Sequence, residues 1–557
     1  MIDNRTKPSS DNSMLLPLTD SQKAKIDALI SSMNEEEMAA QTLAWHFNKL
    51  SEETLDTGKQ MLEKYQLGSI FIGGAPVELV RKVARLGREH SSIPLSITAD
   101  LVYGAGCRMS GGHIFSHQMA IGATHSEELA EQVGYATAKE GRSLGVTWSF
   151  SPVVDLNVNF NNPMMHSRCF GEKPEHVARM ARAYIRGMQR DRLMAASAKH
   201  FPGDGVDDRD SHVCTCINSL SEQEWMDTFG SVWRQVIDEG VMAVMAGHIS
   251  LPWIDPGSGY LGAPPGTFSY KIQHDLLRER LGFRGAVVSD AISMIGYSAQ
   301  MPANDRAPGN LRTGSDLVLY ADPERDVPAI LDALKTERLS QDRLEDAARK
   351  VLELKARVGL LEDDIATPEV TAQDSKSWIT LADTLAANSI CVVRDETGVL
   401  PVKLKPGARV LTVSCQIEGP LRGATQVLDV IDDELRKRGY EVENIFAPKP
   451  AELLPKAMAA DAVFMNINVP PRYGTTRFFG RTSQTFWDSF WHDHPCVVFT
   501  CLCDPYKIYE MPYLPNCINA FSNTPPTQRA IVRMWLGEEP ARGKSPIKLD
   551  GYFECEV

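Results

Sequence analysis

The sequence has no excess of positive charge. Its 58 Lys and Arg residues are outnumbered by 72 Asp and Glu residues, which gives a formal net charge of −14 at pH 7. No long basic run interrupts this balance, so the chain offers no electrostatic attraction to a phosphate backbone or to an anionic membrane. We therefore expect neither a nucleic acid nor a membrane as a partner.

Long hydrophobic runs are also missing. No uninterrupted apolar stretch is long enough to cross a bilayer, and residues 1–20 lack the apolar centre of a signal peptide. The 11 cysteines are an odd number, and they are scattered without the spacing of a disulfide framework, which favours reduced thiols. These absences predict a soluble, cytoplasmic protein.

What the sequence does contain is a regular alternation of short apolar runs with longer amphipathic ones. Its 557 residues, 43% hydrophobic and 23% charged, are typical of a globular protein with two or three domains. Eight of the apolar runs have the length of buried strands. They are residues 41–47, 68–72, 95–100, 146–155, 194–200, 242–248, 286–290 and 316–320. This alternation predicts an α/β fold, a (β/α)8 barrel of the TIM type, with a doubly wound parallel sheet as the alternative.

The pattern divides the chain into four parts. We expect an N-terminal arm at residues 1–20, the barrel at 21–362, a polar linker at 363–375 and a second domain at 376–557. Further apolar runs and helical patterns in the second domain predict a smaller three-layer α/β/α sandwich. It contains neither a GxGxxG nor a GxxxxGK phosphate loop.

The most charged stretch is residues 198–213, which read AKHFPGDGVDDRDSHV. Lys199 and His200 end an apolar run, which predicts that they lie where a barrel strand opens into the active site. Asp210 and His212 occupy alternate positions, which face the same way in an extended segment, so Asp210 can orient the imidazole. His212 could then transfer protons near neutral pH. A solvated acidic turn with an incidental Asp–His pair is the alternative.

Two other apolar runs end in a carboxylate. Asp290 closes the run at 286–290, where a carboxylate can act as a nucleophile at a carbon centre. The alternative is that it caps the following helix. Asp100 closes the run at 95–100 and could bind substrate hydroxyls. Cys214 and Cys216 do not have the usual spacing of zinc ligands, so we expect no metal and no cofactor.

Taken together, these motifs resemble glycoside hydrolase family 3, and in particular its β-N-acetylglucosaminidase branch. The resemblance covers roughly residues 20–360 and consists of several motifs in order. The motifs are KHFPGDG at 199–205 followed by DSH at 210–212, FSPVVD at 150–155, NNP at 161–163, RCFG at 168–171, GVMAVMAGH at 240–248 and LGFRGAVVSD at 281–290.

The resemblance implies a retaining exo-β-glycosidase that acts on terminal β-N-acetylhexosaminides. It implies that Asp290 is the nucleophile of a covalent glycosyl-enzyme, that His212 is the general acid/base, and that Asp210 is its partner. It also implies a set of residues that bind the sugar: Asp100, Arg108, Arg168, Lys199 and His200. The expectation that depends most on folding is that Asp210, His212 and Asp290 converge at the barrel mouth.

The sequence departs from the family pattern in places. Asp204 stands where the family commonly has His, and Asp100 is followed by a more apolar loop than usual. These departures bear on the sugar more than on the reaction. The alternatives are a β-glucosidase or β-xylosidase of the same family, a β-N-acetylglucosaminide phosphorylase, and a carbohydrate-binding protein with a decayed site. The oligomeric state is left open, a homo-oligomer included.

Overall fold

A computed structural model describes residues 15–47, 50–257, 262–363, 367–416, 428–468, 485–486 and 488–551. Of the predicted N-terminal arm, residues 1–14 lie outside the described residues, and a helix starts at Asp20. Of the predicted linker, residues 364–366 lie outside them too. Helix Ala372–Ser389 begins inside the range predicted as linker and continues into the second domain.

Eight parallel strands form a barrel. In chain order they are β1 Leu43–His46, β2 Ser69–Phe71, β3 Ser96–Ala99, β4 Trp148–Ser149, β5 Ala195–Phe201, β6 Ala243–Ala246, β7 Ala286–Ser289 and β8 Val318–Ala321. From β1 to β7 each strand pairs with the next, β8 pairs with β1, and a single bridge between Val288 and Leu317 joins the two ends of the sheet. Each predicted run overlaps one of these strands, so the predicted barrel is confirmed and the doubly wound alternative is wrong.

The strands are apolar because both of their faces are buried. Val287 packs with the layer of helices outside the barrel, whereas its neighbour Val288 packs in the barrel interior. In the same way, Val244 packs with the outer helices and Ala243 packs in the barrel interior. Successive side chains of a strand point to opposite faces, and in a barrel each face has its own core. This explains why the strands read as continuous apolar runs.

Helices surround the barrel. They span Asp20–Ser32, Glu35–Gln41, Leu55–Lys64, Val77–His90, Gln118–Ala123, Glu127–Leu144, Pro174–Gln189, Glu222–Asp227, Phe229–Asp238, Lys271–Arg280 (a π-helix), Ile295–Ser298, Ala303–Thr313, Pro323–Lys335 and Gln341–Arg357. Single 3₁₀ turns span Glu52–Thr54, Ala105–Cys107, His166–Arg168, Arg190–Arg192 and Gly266–Phe268. In the part of the chain that the structure describes, no helix has the length and apolar character needed to span a membrane.

The second domain is built on a six-stranded sheet. Its strands are β9 Cys391–Asp395, β10 Arg409–Gln416, β11 Glu441–Phe446, β12 Ala462–Asn468, β13 Val497–Cys501 and β14 Asn516–Asn519. The order across the sheet is β9-β14-β13-β12-β10-β11, parallel except for β9. Its helices are Ala372–Ser389, Asp429–Lys437, Pro450–Ala459, Lys507–Glu510 and Pro525–Trp535, with a 3₁₀ turn at Phe490–His492. The sheet lies between layers of helices, as predicted for an α/β/α sandwich.

The second domain packs against the loop that follows β4. One face of its sheet shares a core with barrel residues such as Met165 and Cys169. The Tyr506 hydroxyl donates a hydrogen bond to the Asn157 carbonyl at 3.2 Å. Buried Lys507 binds Asp504 at 2.9 Å, and Asp504 lies 3.8 Å from His166. The second domain thus supports a loop of the barrel mouth from behind.

Candidate active site

A carboxylate at the end of β3 is held between two cations. Asp100 Oδ1 accepts a hydrogen bond from Lys199 Nζ at 2.6 Å, and Oδ2 accepts one of 3.5 Å from Arg108 Nη2. Burial by itself would raise the pKa of Asp100, but the charges of Lys199 and Arg108 outweigh burial and hold it at about 2. The cluster is therefore ionised, and it can accept and donate hydrogen bonds to a polar ligand.

A second carboxylate, Asp155, follows β4 and fixes the end of β5. It is fully buried, and its Oδ2 accepts the Nδ1–H of His200 at 2.7 Å. Its Oδ1 accepts the backbone N–H of His200 at 3.1 Å and that of Asp204 at 2.7 Å. Because Nδ1 is held by Asp155, the Nε2 of His200 is left to bind a ligand.

Asp204 lies in the turn after β5, against this buried pair. Its Oδ1 accepts hydrogen bonds from Asn162 Nδ2 at 3.0 Å and from the Gly205 N–H at 2.6 Å. Burial and the negative charge of Asp155 raise the pKa of Asp204 to about 6. The turn therefore places a second acidic group, whose pKa lies above its ordinary value, beside the Asp155–His200 pair.

The turn itself requires its glycines. Gly203 has φ of +129°, and a Cβ there would lie 2.2 Å from Cδ1 of Phe229. Gly205 has φ of +110°, and a Cβ there would lie 1.8 Å from the carbonyl oxygen of Leu156. A residue with a Cβ is excluded at both positions, because φ is positive and because other atoms already occupy the space that a Cβ would need. The two glycines thus let the chain leave β5 and turn back across the barrel mouth.

Arg168 enters the mouth from the loop after β4. It ends the 3₁₀ turn His166–Arg168, and its Nη1 donates to the Met164 carbonyl at 3.3 Å. The charge of its guanidinium helps to lower the pKa of Asp100, and it offsets part of the rise in the pKa of Asp204. Arg168 therefore adds a third cation to the cluster around Asp100.

The second Asp–His pair lies on the long loop after β5. Asp210 Oδ1 accepts the His212 backbone N–H at 2.9 Å and its Nδ1–H at 2.8 Å. Asp210 is buried, whereas the His212 side chain is 32% exposed. The predicted pairing is present, but the extended segment predicted for it is wrong. Residues 210–214 form a turn in which the aspartate binds the backbone two residues on, as Asp commonly does in loops.

Asp290 ends β7 at the centre of the mouth. Its Oδ1 accepts the Ala291 N–H at 2.7 Å. Burial alone would raise its pKa. The imidazoles of His248, His200 and His212, with the Ala291 N–H, oppose burial and bring the pKa of Asp290 below its usual value. The next helix starts at Ile295 without a side-chain cap, so Asp290 does not cap it.

His248 supports Asp290 from below. It is fully buried after β6, and its Nε2–H donates to the Ala291 carbonyl at 2.9 Å. Its Nδ1 then accepts from the Thr267 hydroxyl at 2.7 Å. Burial lowers the pKa of His248, which agrees with a neutral ring that has one donor and one acceptor. His248 thus fixes the backbone that follows Asp290.

The loops that carry His212 and Asp290 are joined. The Ile295 N–H donates to the His212 carbonyl at 3.1 Å, and the Thr215 hydroxyl donates to the Gly296 carbonyl at 2.7 Å. A Cβ on Gly296 would lie 2.6 Å from the carbonyl oxygen of Ser211. This close packing holds the Asp–His pair and Asp290 on adjoining loops at the same end of the barrel.

The structure brings together all eight residues that the sequence singled out: Asp100, Arg108, Arg168, Lys199, His200, Asp210, His212 and Asp290. Asp155 and His248 are further residues of the site to which the sequence motifs give no role. Both were visible as polar residues that end the predicted runs at 146–155 and 242–248, the same signal that singled out Asp100 and Asp290. In the described ranges, no group of three or more His, Cys, Asp or Glu side chains is arranged to hold a metal ion.

Comparison with known proteins agrees with this site. Residues 30–354 match the model of the glycosyl hydrolase family 3 N terminal domain. A beta-N-acetylglucosaminidase/beta-glucosidase of Cellulomonas fimi is 32% identical over 486 residues, 82% of this chain and 84% of that protein. Beta-hexosaminidase A of Pseudoalteromonas piscicida is 28% identical over 62% of each chain.

Solved structures share both domains. A beta-glucoside phosphorylase BglX bound to 2FGlc superposes with a TM-score of 0.85 at 27% identity, over 95% of this chain and 97% of that one. A glycoside hydrolase family 3 beta-N-acetylglucosaminidase from Paenibacillus sp. str. FPU-7 has a TM-score of 0.80 at 23% identity, over 94% and 100%. The second comparison supports the two-domain fold alone.

A barrel whose mouth combines a buried carboxylate, an Asp–His pair and a cluster of fixed polar groups defines an enzyme of the glycosidase class. The matches above agree with that class. The chain belongs to glycoside hydrolase family 3.

Proposed function

We propose that this protein is a retaining exo-β-glycosidase in which Asp290 is the nucleophile and His212, oriented by Asp210, is the general acid/base. The observation that supports it most is the joining of the His212 and Asp290 loops, with the imidazole close enough to Asp290 to lower its pKa. Retaining hydrolysis needs these two groups at one anomeric carbon.

In the first step, a carboxylate oxygen of Asp290 attacks the anomeric carbon and the bond to the leaving oxygen breaks. Protonated His212 gives its Nε2 proton to that oxygen, while its Nδ1–H stays hydrogen-bonded to Asp210. The depressed pKa of Asp290 keeps the nucleophile ionised. The products are a covalent glycosyl-enzyme, the free leaving group and neutral His212.

In the second step, water attacks the same carbon from the side that the leaving group vacated. Its proton goes to Nε2 of His212, and the bond to Asp290 breaks to return the carboxylate. Two displacements at one carbon give net retention of the β configuration. The 32% exposure of His212 supports this role, because the base must meet water.

The polar cluster supports action of the enzyme on terminal sugars. Asp100, Lys199, Arg108, Arg168 and His200 offer fixed donors and acceptors to the hydroxyls of one ring. Lys199 and His200 are themselves buried, so the mouth is closed on this side and does not continue as an open groove. A chain that continued past the bound sugar in that direction would meet protein.

The substrate that we propose is a terminal β-N-acetylhexosaminide. The names of the Cellulomonas fimi and Pseudoalteromonas piscicida relatives support it. A β-glucoside or β-xyloside stays as the alternative sugar, and the double name of the Cellulomonas fimi protein includes glucosides. The proposed location is the cytoplasm, which the ten free cysteines of the described residues support.

A second candidate activity is phosphorolysis, in which phosphate replaces water in the second step. The similarity to a beta-glucoside phosphorylase over almost the whole of both chains favours it. The acid/base residue favours it as well, because neutral His212 repels an incoming phosphate less than a carboxylate would. A phosphate oxygen would attack the anomeric carbon, and the product would be a sugar 1-phosphate.

The experiment that tests the proposal is a panel of aryl β-glycosides of N-acetylglucosamine, glucose and xylose, with and without inorganic phosphate. Hydrolysis predicts free sugar at a rate that does not depend on phosphate, with the N-acetylglucosaminide turned over best. A rate that rises with phosphate, with a sugar 1-phosphate as product, would establish phosphorolysis. No turnover of any β-glycoside under either condition would contradict both.

A further inference from the structure

A buried carboxylate of the second domain faces the turn that carries Arg168. Asp504 follows β13, and its Oδ2 lies 3.8 Å from Nδ1 of His166, the first residue of the 3₁₀ turn His166–Arg168. Both side chains are buried, and at this distance a carboxylate attracts a ring N–H through its charge. The proposed mechanism gives Asp504 no role, so the reason for a buried carboxylate at this place has to come from the turn.

Asp504 is held firmly by its own domain. Its Oδ1 accepts the backbone N–H of Tyr506 at 2.9 Å, and its Oδ2 binds Nζ of Lys507 at 2.9 Å. Tyr506 and Lys507 are buried, and the Tyr506 hydroxyl donates to the Asn157 carbonyl in the loop after β4. Because its neighbours fix both oxygens, the carboxylate meets the turn in one orientation.

The charges around Lys507 indicate that Asp504 does more than neutralise it. Nζ of Lys507 also binds Oε1 of Glu510 at 2.5 Å, so Glu510 alone could balance the charge of the lysine. A second buried carboxylate is unfavourable unless it makes further interactions. Since Asp504 lies between Lys507 and His166, the further interaction that it gains is with the turn of the barrel loop.

The turn has a backbone conformation that needs such support. His166 has φ of +30°, a region that residues other than glycine rarely adopt. A residue stays in this region when the structure around it holds it there, and such residues are common at functional sites. Ser167 is fully buried, and its Oγ lies 3.0 Å from Nδ1 of His117. The barrel therefore holds the turn at Ser167, and the second domain contacts it at His166.

Arg168 depends on this turn for its place in the barrel mouth. Its Nη1 donates to the carbonyl of Met164, but Met164 belongs to the same loop, so this hydrogen bond moves with the loop. The guanidinium lies near enough to Asp100 to act on it through its charge. A change in the backbone of the turn would shift the guanidinium relative to Asp100, which β3 holds in place.

We infer that Asp504 is a positioning residue for Arg168, and that the second domain thereby sets the affinity of the barrel mouth for the sugar. Asp504 does not touch the sugar; it holds His166, and the turn then places the guanidinium of Arg168. This inference rests on the proposed function, which takes Arg168 as a sugar-binding group. It adds a role for the second domain, which the family match at residues 30–354 does not cover.

The test is a double-mutant cycle of Asp504→Ala and Arg168→Ala, measured on a nitrophenyl β-glycoside of the sugar that the enzyme prefers. We expect Asp504→Ala to lower kcat/KM by about 10-fold, mainly through KM, with kcat within about 3-fold of the parent. In the Arg168→Ala background the same change should alter kcat/KM by less than about 2-fold, because the group that Asp504 positions is already gone.

Asp504→Asn gives a second cycle that keeps the shape of the side chain and its bond to the Tyr506 N–H. It should show the same coupling to Arg168 with a smaller loss, about 3-fold, and it serves as the test if Asp504→Ala does not fold. Both losses should be equal for nitrophenyl and dinitrophenyl leaving groups, because Arg168 acts on the sugar. Calorimetric binding of the free sugar should weaken by a similar factor, and this measurement needs no turnover.

Lys139→Met is the matched control. Lys139 in helix Glu127–Leu144 pairs with Asp374 of helix Ala372–Ser389 at 2.8 Å, so the variant removes an ion pair between the domains that does not involve the loop after β4. It should leave kcat and KM within about 2-fold of the parent, whatever it does to the thermal midpoint.

Two results would overturn the inference. One is the same loss from the Asp504 substitution with and without Arg168, which would mean that Asp504 acts on something else. The other is a lower thermal midpoint with kcat and KM unchanged, which would make Asp504 a structural residue only. Failure of the parent to turn over any β-glycoside is a distinct outcome: it would remove the proposed function, and the calorimetric cycle would still decide whether Asp504 acts through Arg168. A parent that neither turns over nor binds a sugar would remove both.

Discussion

The two Asp–His pairs at the barrel mouth have the same chemistry and different surroundings. His200 is 10% exposed and Asp155 is not exposed at all, and three N–H groups hold that carboxylate at the end of β5. His212 is 32% exposed, and Asp210 holds it within a turn of a long loop. The difference teaches that an Asp–His pair is not by itself a proton-transfer device. In the proposed mechanism the buried pair fixes a binding group, whereas the exposed pair exchanges protons with reactants.

The largest expected effect is at Asp290, the carboxylate that both histidines influence. Asp290→Ala should lower kcat on an aryl β-glycoside by about 10⁴-fold or more, because no covalent intermediate can form. The circular dichroism spectrum and thermal midpoint should stay near those of the parent. Turnover within 10-fold of the parent would show that neither pair works with a nucleophile at this position.

The exposed pair should respond to the leaving group. His212→Ala should slow a substrate with a poor leaving group by about 10²–10⁴-fold, because the departing oxygen is no longer protonated. The loss should be much smaller for a dinitrophenyl glycoside, whose leaving group departs without a proton. His274 is a matched control, since it forms a surface pair with Asp275 at 2.9 Å. His274→Ala should leave both rates unchanged, and equal losses for both substrates in His212→Ala would contradict its role as an acid.

The buried pair should not respond to the leaving group. His200→Ala removes a proposed sugar-binding group and should lower kcat/KM by about 10–10²-fold for both kinds of leaving group. It also leaves Asp155 buried without its imidazole, which should cost about 1–3 kcal/mol of stability. Thermal unfolding of His200→Ala should therefore begin at a lower temperature than that of His212→Ala. A loss that depends on the leaving group would mean that the two pairs have been assigned the wrong way round.

The smallest expected effect is the pH dependence at Asp204, beside the buried pair. Its pKa is raised to about 6, so the folded state binds a proton that the unfolded state releases near the ordinary value of 3.8. Stability from this group is therefore present at low pH and is lost as pH rises through about 6. Asp204→Asn removes that loss and keeps the hydrogen bonds accepted from Asn162 and Gly205.

The measurement is the thermal midpoint of the parent and of Asp204→Asn as a function of pH. The variant should be more stable by about 1–2 kcal/mol at neutral pH, and the gap should close in acid. A variant that is less stable than the parent at neutral pH would show that the Asp204 carboxylate is bound in its charged form.

Much of the barrel could be predicted because a parallel strand that is buried on both faces leaves a clear apolar run. Strand β11, Glu441–Phe446, was not predicted for the opposite reason. It lies at the edge of its sheet, and Ile445 is its only buried residue. The apolar spacing of residues 222–239 on its own predicts a single helix, but Thr228 breaks it in two at φ −109° and ψ −92°. The apolar spacing continues across that break, so periodicity could not reveal it.

The candidate site was predictable where residues end apolar runs or lie close in sequence. Asp210 and His212 are two residues apart, so their pairing could be inferred even though the segment is a turn. Asp155 could not be connected to His200 in the same way, because the pair forms only when β4 and β5 lie side by side. The contact of the first and last strands, which closes the barrel, is likewise encoded by no local pattern.

The most direct test of the account is to identify the residue that becomes glycosylated. The protein would be treated with a 2-deoxy-2-fluoroglycosyl fluoride of the sugar that it prefers, and its intact mass and labelled peptide would be determined. The account predicts one sugar per chain, attached to the peptide that contains Asp290, with no label in Asp290→Ala. A label on another residue, or an initial product of inverted configuration, would contradict it.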